Sequence, residues 1–169
     1  MQISYKFPLV LVAILITLSA FAMVAKEQVG VFCYTASAAE QNTAANAAAS
    51  TIAINIKVQN KIFAAELYDN LAAKRLASKL PMTIQMTDLN SNEKKYNMPD
   101  RLADTSIERP STIYNGDIMC WQGDVLVLFY KTFDNHYGGY TRIGRVHNPE
   151  GLAAALGTGT VQVTWLNAE

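Results

Sequence analysis

Cysteine and histidine are scarce in this chain: its 169 residues hold two of each, Cys33, Cys120, His136 and His147. No Cys/His cluster with metal-ligand spacing appears, so neither a metal nor a cofactor is expected. Cys33 and Cys120 lie on opposite sides of a polar spacer. Cys120 falls in an apolar strand, where it reads as a small buried hydrophobe rather than a nucleophile or disulfide partner. No charge of one sign dominates either. From Ala39 onward 12 Lys and Arg stand against 13 Asp and Glu, net −1, without a basic stripe. Nucleic acid is therefore not an expected partner. Internal repeats are also absent.

The chain has one long hydrophobic run, Phe7 to Ala25, FPLVLVAILITLSAFAMVA, preceded by Lys6. An uncharged stretch of about 20 residues suits a signal-peptide core or a single membrane span. Small-x-small sites at Ala20-Phe21-Ala22 and Ala36-Ser37-Ala38 favour processing. The expectation is export, as a periplasmic, secreted or surface-anchored protein. Residues 1–38 form the leader or anchor, and the membrane is a partner only through them if they are retained. Residues 39–50 belong to an Ala/Asn/Thr-rich tract without aromatic or branched aliphatic side chains. Such a tract buries too little apolar area to offset its ordering entropy and reads as a disordered spacer.

From Thr51 to Glu169 the pattern is that of a folded domain. Ile52, Ile54, Ile56 and Val58 alternate with polar or small residues, a strand with one buried face. Gln59-Asn60-Lys61 turns it into a second arm, Ile62 to Tyr68. Asn70 offers an N-cap to a helix over Leu71–Leu80, which Pro81 stops. Met82, Ile84 and Met86 alternate again, DLNSNE is a turn, and Lys94–Met98 is a short strand. A hairpin follows, Asp117–Trp121 and Val125–Lys131; its second arm is apolar on both faces and must be covered on both sides. Tyr140–Val146 is a strand. NPEGLAAALG reads as a helix capped by Asn148 with Pro149 first and Gly157 after its end. TVQVTW closes the chain. Many short strands with one early and one late helix predict a mainly β fold: a closed eight-stranded antiparallel barrel capped by two short helices, with a sandwich as the main alternative that suits the two helices less well.

Particular segments resemble a known family. KIFAAELYDNLAAKRLASKLP is similar to the cyclophilin opening, in which a strand runs into a helix. In order, L-Y-D-N, L-P-M-T, G-D-I-M, L-F-Y-K-T-F and R-I-G-R-V resemble the small bacterial cyclophilin-like proteins. The resemblance spans nearly all of Ile52 to Trp165 and implies the same capped barrel. It does not carry isomerase activity across. Cyclophilins use an arginine in F-H-R and a glutamine in F-M-x-Q-G-G-D, and neither segment is present. W-Q-G-D at Trp121–Asp124 is read as hairpin-turn chemistry.

By position, Phe129 and Tyr130 match the Phe-Phe pair of the cyclophilin groove, and Tyr140 falls where that groove carries a histidine. Between two apolar runs, FYKTFDNHYGGYTRIGRV also gathers His136, Tyr137 and Arg142. A catalytic histidine needs a nucleophile to activate and a group to orient it. No serine or cysteine sits in a nucleophile-type turn, so no catalytic residue is assigned. Trp121, Phe129, Tyr130, His136, Tyr137, Tyr140 and Arg142 are instead expected to line an aromatic groove for a peptide or small-molecule ligand. The alternatives are a prolyl isomerase with Arg101 or Arg142 as substitute donor, and a structural domain held at the cell surface.

Overall fold

Alternating burial drives the architecture. The computed structural model describes residues 50–169. The leader, nearly all of the spacer and Cys33 lie outside the described residues. β1 (Ile52–Val58) sends Ile54, Ile56 and Val58 inward, and β2 (Lys61–Leu67) answers with Phe63, Ala65 and Leu67. The two pair antiparallel from Ile52 opposite Leu67 to Val58 opposite Lys61. Gln59 in their two-residue turn takes a positive φ of 54°, as a tight hairpin requires.

The remaining elements follow in chain order. α1 spans Leu71–Ala77, β3 Met82–Leu89 and β4 Glu93–Asn97. Next come β5 (Thr112–Ile113), β6 (Asp117–Trp121), β7 (Val125–Phe129) and β8 (Phe133–Asp134). β9 (Tyr140–Val146), α2 (Leu152–Leu156) and β10 (Val161–Asn167) complete the domain. Eight strands close a barrel in the order β1-β10-β3-β4-β7-β6-β9-β2, the expected architecture. Closure leaves no unpaired barrel edge to seed association. Among the described residues no helix is long and apolar enough to cross a membrane.

The helices plug opposite ends. Asn70 caps α1 by accepting from Ala73 N at 2.9 Å, while its amide donates to Arg142 O at 2.9 Å beyond β2. At the far end the β1–β2 turn holds α2, since Gln59 donates to Ala155 O at 3.0 Å. Ala72, Ala73 and Leu76 of α1 and Leu152, Ala155 and Leu156 of α2 join the barrel core, whose largest side chain is the fully buried Trp165. Both helices are shorter than the sequence suggests. After Ala77 the chain tightens, with Lys79 and Leu80 donating three residues back. Near α2, Asn148 accepts from Glu150 N and forms a separate turn. Gly151, at φ 77°, then starts the helix, because a left-handed residue cannot sit inside it.

β7 is buried along its whole length, and the reason is two cores rather than one. Leu126 and Leu128 belong to the barrel interior. Val125, Val127 and Phe129 point outward into a second cluster with Ile113, Met119, Tyr140 and Phe133. The cover is the β5–β8 ribbon, in which Thr112 pairs with Asp134 and Ile113 with Phe133.

Gly144 marks where the wall is tightest. It faces Leu67 across the β2–β9 seam, and a Cβ there would fall inside the van der Waals envelope of the Glu66 carbonyl oxygen. Backbone cannot retreat as a side chain tip can. Gly144→Ala is expected to destabilise by about 3 kcal/mol, the upper range for overpacking. Urea unfolding of the variant against wild type measures it.

Candidate ligand-binding site

The neighbouring strands β4, β7, β6 and β9 present one continuous outer face. Glu93 lies opposite Phe129 and Lys95 opposite Val127, so the odd-numbered residues of β4 share that face with the second cluster. Trp121 lies opposite Val125 on one side and Tyr140 on the other. β8 and the loop after it fold back over this surface. Between face and loop is a cavity of about 410 Å³, with Trp121, Val127, Phe133, Tyr137 and Tyr140 among its apolar and aromatic walls. Phe129 forms its underlayer, 5.9 Å from Phe133 and edge-on to Tyr140 at 6.2 Å between ring centroids.

The covering loop is fixed by Asn135, which is buried and fully bonded. Its amide donates to Pro110 O at 2.8 Å and Tyr137 O at 2.7 Å, and its oxygen accepts from Tyr137 N at 3.2 Å. The Trp121 indole donates to Gly138 O at 3.1 Å, and Arg109 donates to His136 O at 2.7 Å. Gly139 takes a φ of 86°, and a Cβ on it would come within 2.8 Å of the Gln122 amide nitrogen. The rim is thus preformed, which lowers the ordering cost of binding.

Asn92, Glu93, Lys95 and His136 supply polar character. Glu93 is 7% exposed, yet among the described residues no hydrogen-bond donor or cation contacts its carboxyl. Burial raises its pKa, Lys95 opposes the rise and Asp88 adds to it, leaving the group at about 7. Burial, reinforced by Glu93 and Tyr137, pushes the Tyr140 phenol up to about 12. A neutral phenol, an exposed imidazole and a carboxyl titrating near neutrality therefore meet at one cavity.

Of the seven residues expected to form the groove, Trp121, His136, Tyr137 and Tyr140 line this cavity. Three lie elsewhere. Phe129 is fully buried beneath it. Tyr130, next in the chain, points to the opposite face and donates to Asp88 at 2.7 Å, because successive strand side chains alternate. Phe129 and Tyr130 therefore do not share one groove wall as the Phe-Phe resemblance implied. Arg142 turns to Glu108 at 3.4 Å and Asp117 at 3.7 Å. Arg101, the other substitute donor considered, packs against Gly123. Neither arginine lines the cavity.

Sequence reading missed Glu93, Lys95, Asn92, Asn135 and Phe133. The turn reading of DLNSNE ends on Glu93; starting β4 one residue earlier puts Glu93 and Lys95 on one face, the single local signal available. Among the described residues no three His, Cys, Asp or Glu side chains converge as a metal site. Cys120 is buried, and that burial raises its thiol.

Residues 56–166 match the Cyclophilin-like family model. The chain belongs to the Cyclophilin-like family. The barrel is also similar to the solution structure of the hypothetical protein AF2241 from Archaeoglobus fulgidus, with a TM-score of 0.55. That match has 17% identity and covers 71% of this chain and 97% of the other, a likeness of fold. No curated protein matches the chain. Within this Cyclophilin-like domain the F-H-R and F-M-x-Q-G-G-D segments of the isomerases are absent. The cations lining the cavity are not arginines: Lys95 is there, beside the titratable His136.

Proposed function

We propose that this Cyclophilin-like domain is an exported, non-catalytic binding module that takes a peptide or small ligand in the cavity beneath the Asn135 loop. The observation that carries the reading is the cavity itself. About 410 Å³ of concave, aromatic-walled space lies under a preformed rim and holds a few convergent polar groups, the usual make-up of a small-molecule site. Export is supported by the apolar run Phe7–Ala25. Cell fractionation and the mass of the mature N-terminus test that part.

Thermal unfolding of the full chain against metabolite and peptide panels tests the binding. Ligands that raise the wild-type midpoint are expected to bind at least about tenfold more weakly to Tyr140→Ala, the scale of an aromatic anchor. Trp121→Ala, at a more exposed position, is the companion variant should Tyr140→Ala unfold. Hits that persist unchanged in both variants refute the site. In a proline-peptide isomerisation assay, micromolar protein is expected to leave the uncatalysed rate unchanged, since no arginine lines the cavity.

A further inference from the structure

The cavity carries an imbalance that identifies the chemistry of its occupant. Glu93 lines it and is only 7% exposed, yet among the described residues its carboxyl forms no hydrogen bond or ion pair. A carboxylate in an apolar-walled cavity without a donor is costly to keep charged, and a ligand that supplies a donor and a counter-charge offsets that cost. Two nearby donors are committed elsewhere. Asn135 is fully bonded to Pro110 and Tyr137, and the Trp121 indole is bonded to Gly138. The rings of Phe133, Tyr137 and Tyr140, whose faces attract cations, line the same cavity.

Resting on the binding reading above, we propose that the cavity selects a flat apolar or aromatic molecule bearing a protonated amine, with the ammonium donating to Glu93. Glu93 is the specificity-determining residue, because it supplies the counter-charge and an acceptor in a water-poor site. An ammonium gains a charge-assisted bond there, whereas a carboxylate of the same shape meets repulsion. Lys95 shares the cavity without forming an ion pair to Glu93, and it sets the competing outcome, an anionic ligand.

Charged and titratable groups surround Glu93 on every side. Lys95 lies on its own strand, Asp88 on β3, Asp134 on β8, His136 and Tyr137 in the covering loop, and Tyr140 on β9. A cation requires Glu93 to be ionised, so its affinity should rise with pH, about tenfold per pH unit, up to the Glu93 value of about 7. The proton is lost from Glu93 to solvent and no other bond changes.

The experiment is calorimetric titration of the full chain with tyramine, its neutral counterpart N-acetyltyramine and the anion 4-hydroxyphenylacetate, between pH 5.5 and 8. Support is preferential tyramine binding that strengthens with pH, weakens at least tenfold in Glu93→Gln and loses its pH dependence there. His136→Asn should keep that dependence. Binding of N-acetyltyramine or 4-hydroxyphenylacetate as tightly as tyramine, unchanged in Glu93→Gln, overturns the amine assignment and leaves the cavity reading intact. If none of the three binds, the amine assignment falls, and the broad panels with Tyr140→Ala then decide the cavity reading separately. Circular dichroism of Glu93→Gln confirms that it folds.

Discussion

Asp88→Ala is expected to destabilise the domain by about 3–5 kcal/mol, the cost of stripping a buried charge of its partner. Lys94 lies on the inward face of β4, opposite Leu128, with its side chain wholly buried. Its ammonium donates to Asp88 Oδ2 at 2.7 Å and to the Gly159 carbonyl at 2.7 Å. Tyr130 donates to the same Asp88 oxygen at 2.7 Å, and Ser91 N donates to the other at 3.1 Å. The Tyr130 ring centroid is 5.7 Å from the ammonium. Removing Asp88 therefore strands an ammonium inside the barrel with one carbonyl and a ring. Lys94→Met should cost less, because it leaves behind a carboxylate that still touches solvent. Urea unfolding of the two variants tests the order of effects, and equal losses would contradict it. Burial alone would raise the Asp88 carboxyl, but hydrogen bonds from Lys94 and Tyr130 hold it below the usual carboxylate range. A depressed carboxyl contributes stability above its unfolded value, near 3.9, that is lost as pH falls through the folded value. Wild type should thus show acid lability below about pH 4 that Asp88→Ala lacks.

The second large effect has the opposite sign and a different window. Glu93 has a folded pKa of about 7 against an ordinary value of 4.5. Between those values the folded state holds a proton that the unfolded chain releases, so stability falls as pH rises from about 4.5 to about 7 and is level above. At about 1.4 kcal/mol per pKa unit, the interval from 4.5 to about 7 makes the full loss about 3.5 kcal/mol. Glu93→Gln should remove that slope and unfold at a higher temperature than wild type at pH 8. His136→Asn should retain the slope, which separates the carboxyl from the imidazole across the cavity. A wild-type midpoint that stays flat from pH 5 to 8 would rule out the buried, donorless state of Glu93. Bound amine should cancel much of the loss, because a ligand that binds only the folded, ionised form stabilises it by mass action. Stability and binding therefore report on one oxygen pair by independent routes.

Tyr130 and Glu93 show where sequence reading of this domain works and where it stops. Position in the family pattern assigned Tyr130 to the groove, but its odd-numbered neighbour Phe129 already held the outward face. Strand alternation then committed Tyr130 to Asp88 and Lys94 inside. That outcome was legible once the register was taken literally. Arg142 does share its strand with Tyr140, but its partner Glu108 lies in the distant β4–β5 connection, which no local pattern reveals; the ion pair at 3.4 Å draws the guanidinium off the cavity.

The period of two, the turn residues at Gln59-Asn60 and Gln122-Gly123 and the doubly apolar β7 favour a cylinder with two helical plugs over a sandwich, and the ordered motifs from L-Y-D-N to R-I-G-R-V carry the resemblance to its family. Those features are local: each follows from how neighbouring residues along one strand face in or out. Which outward residues would be sealed from water was decided by tertiary structure alone. Glu93 is an ordinary surface carboxylate until the β8 segment, about forty positions later in the chain, folds across β4 and β7. Desolvation depends on that long-range cover, and no local pattern of side chains encodes it.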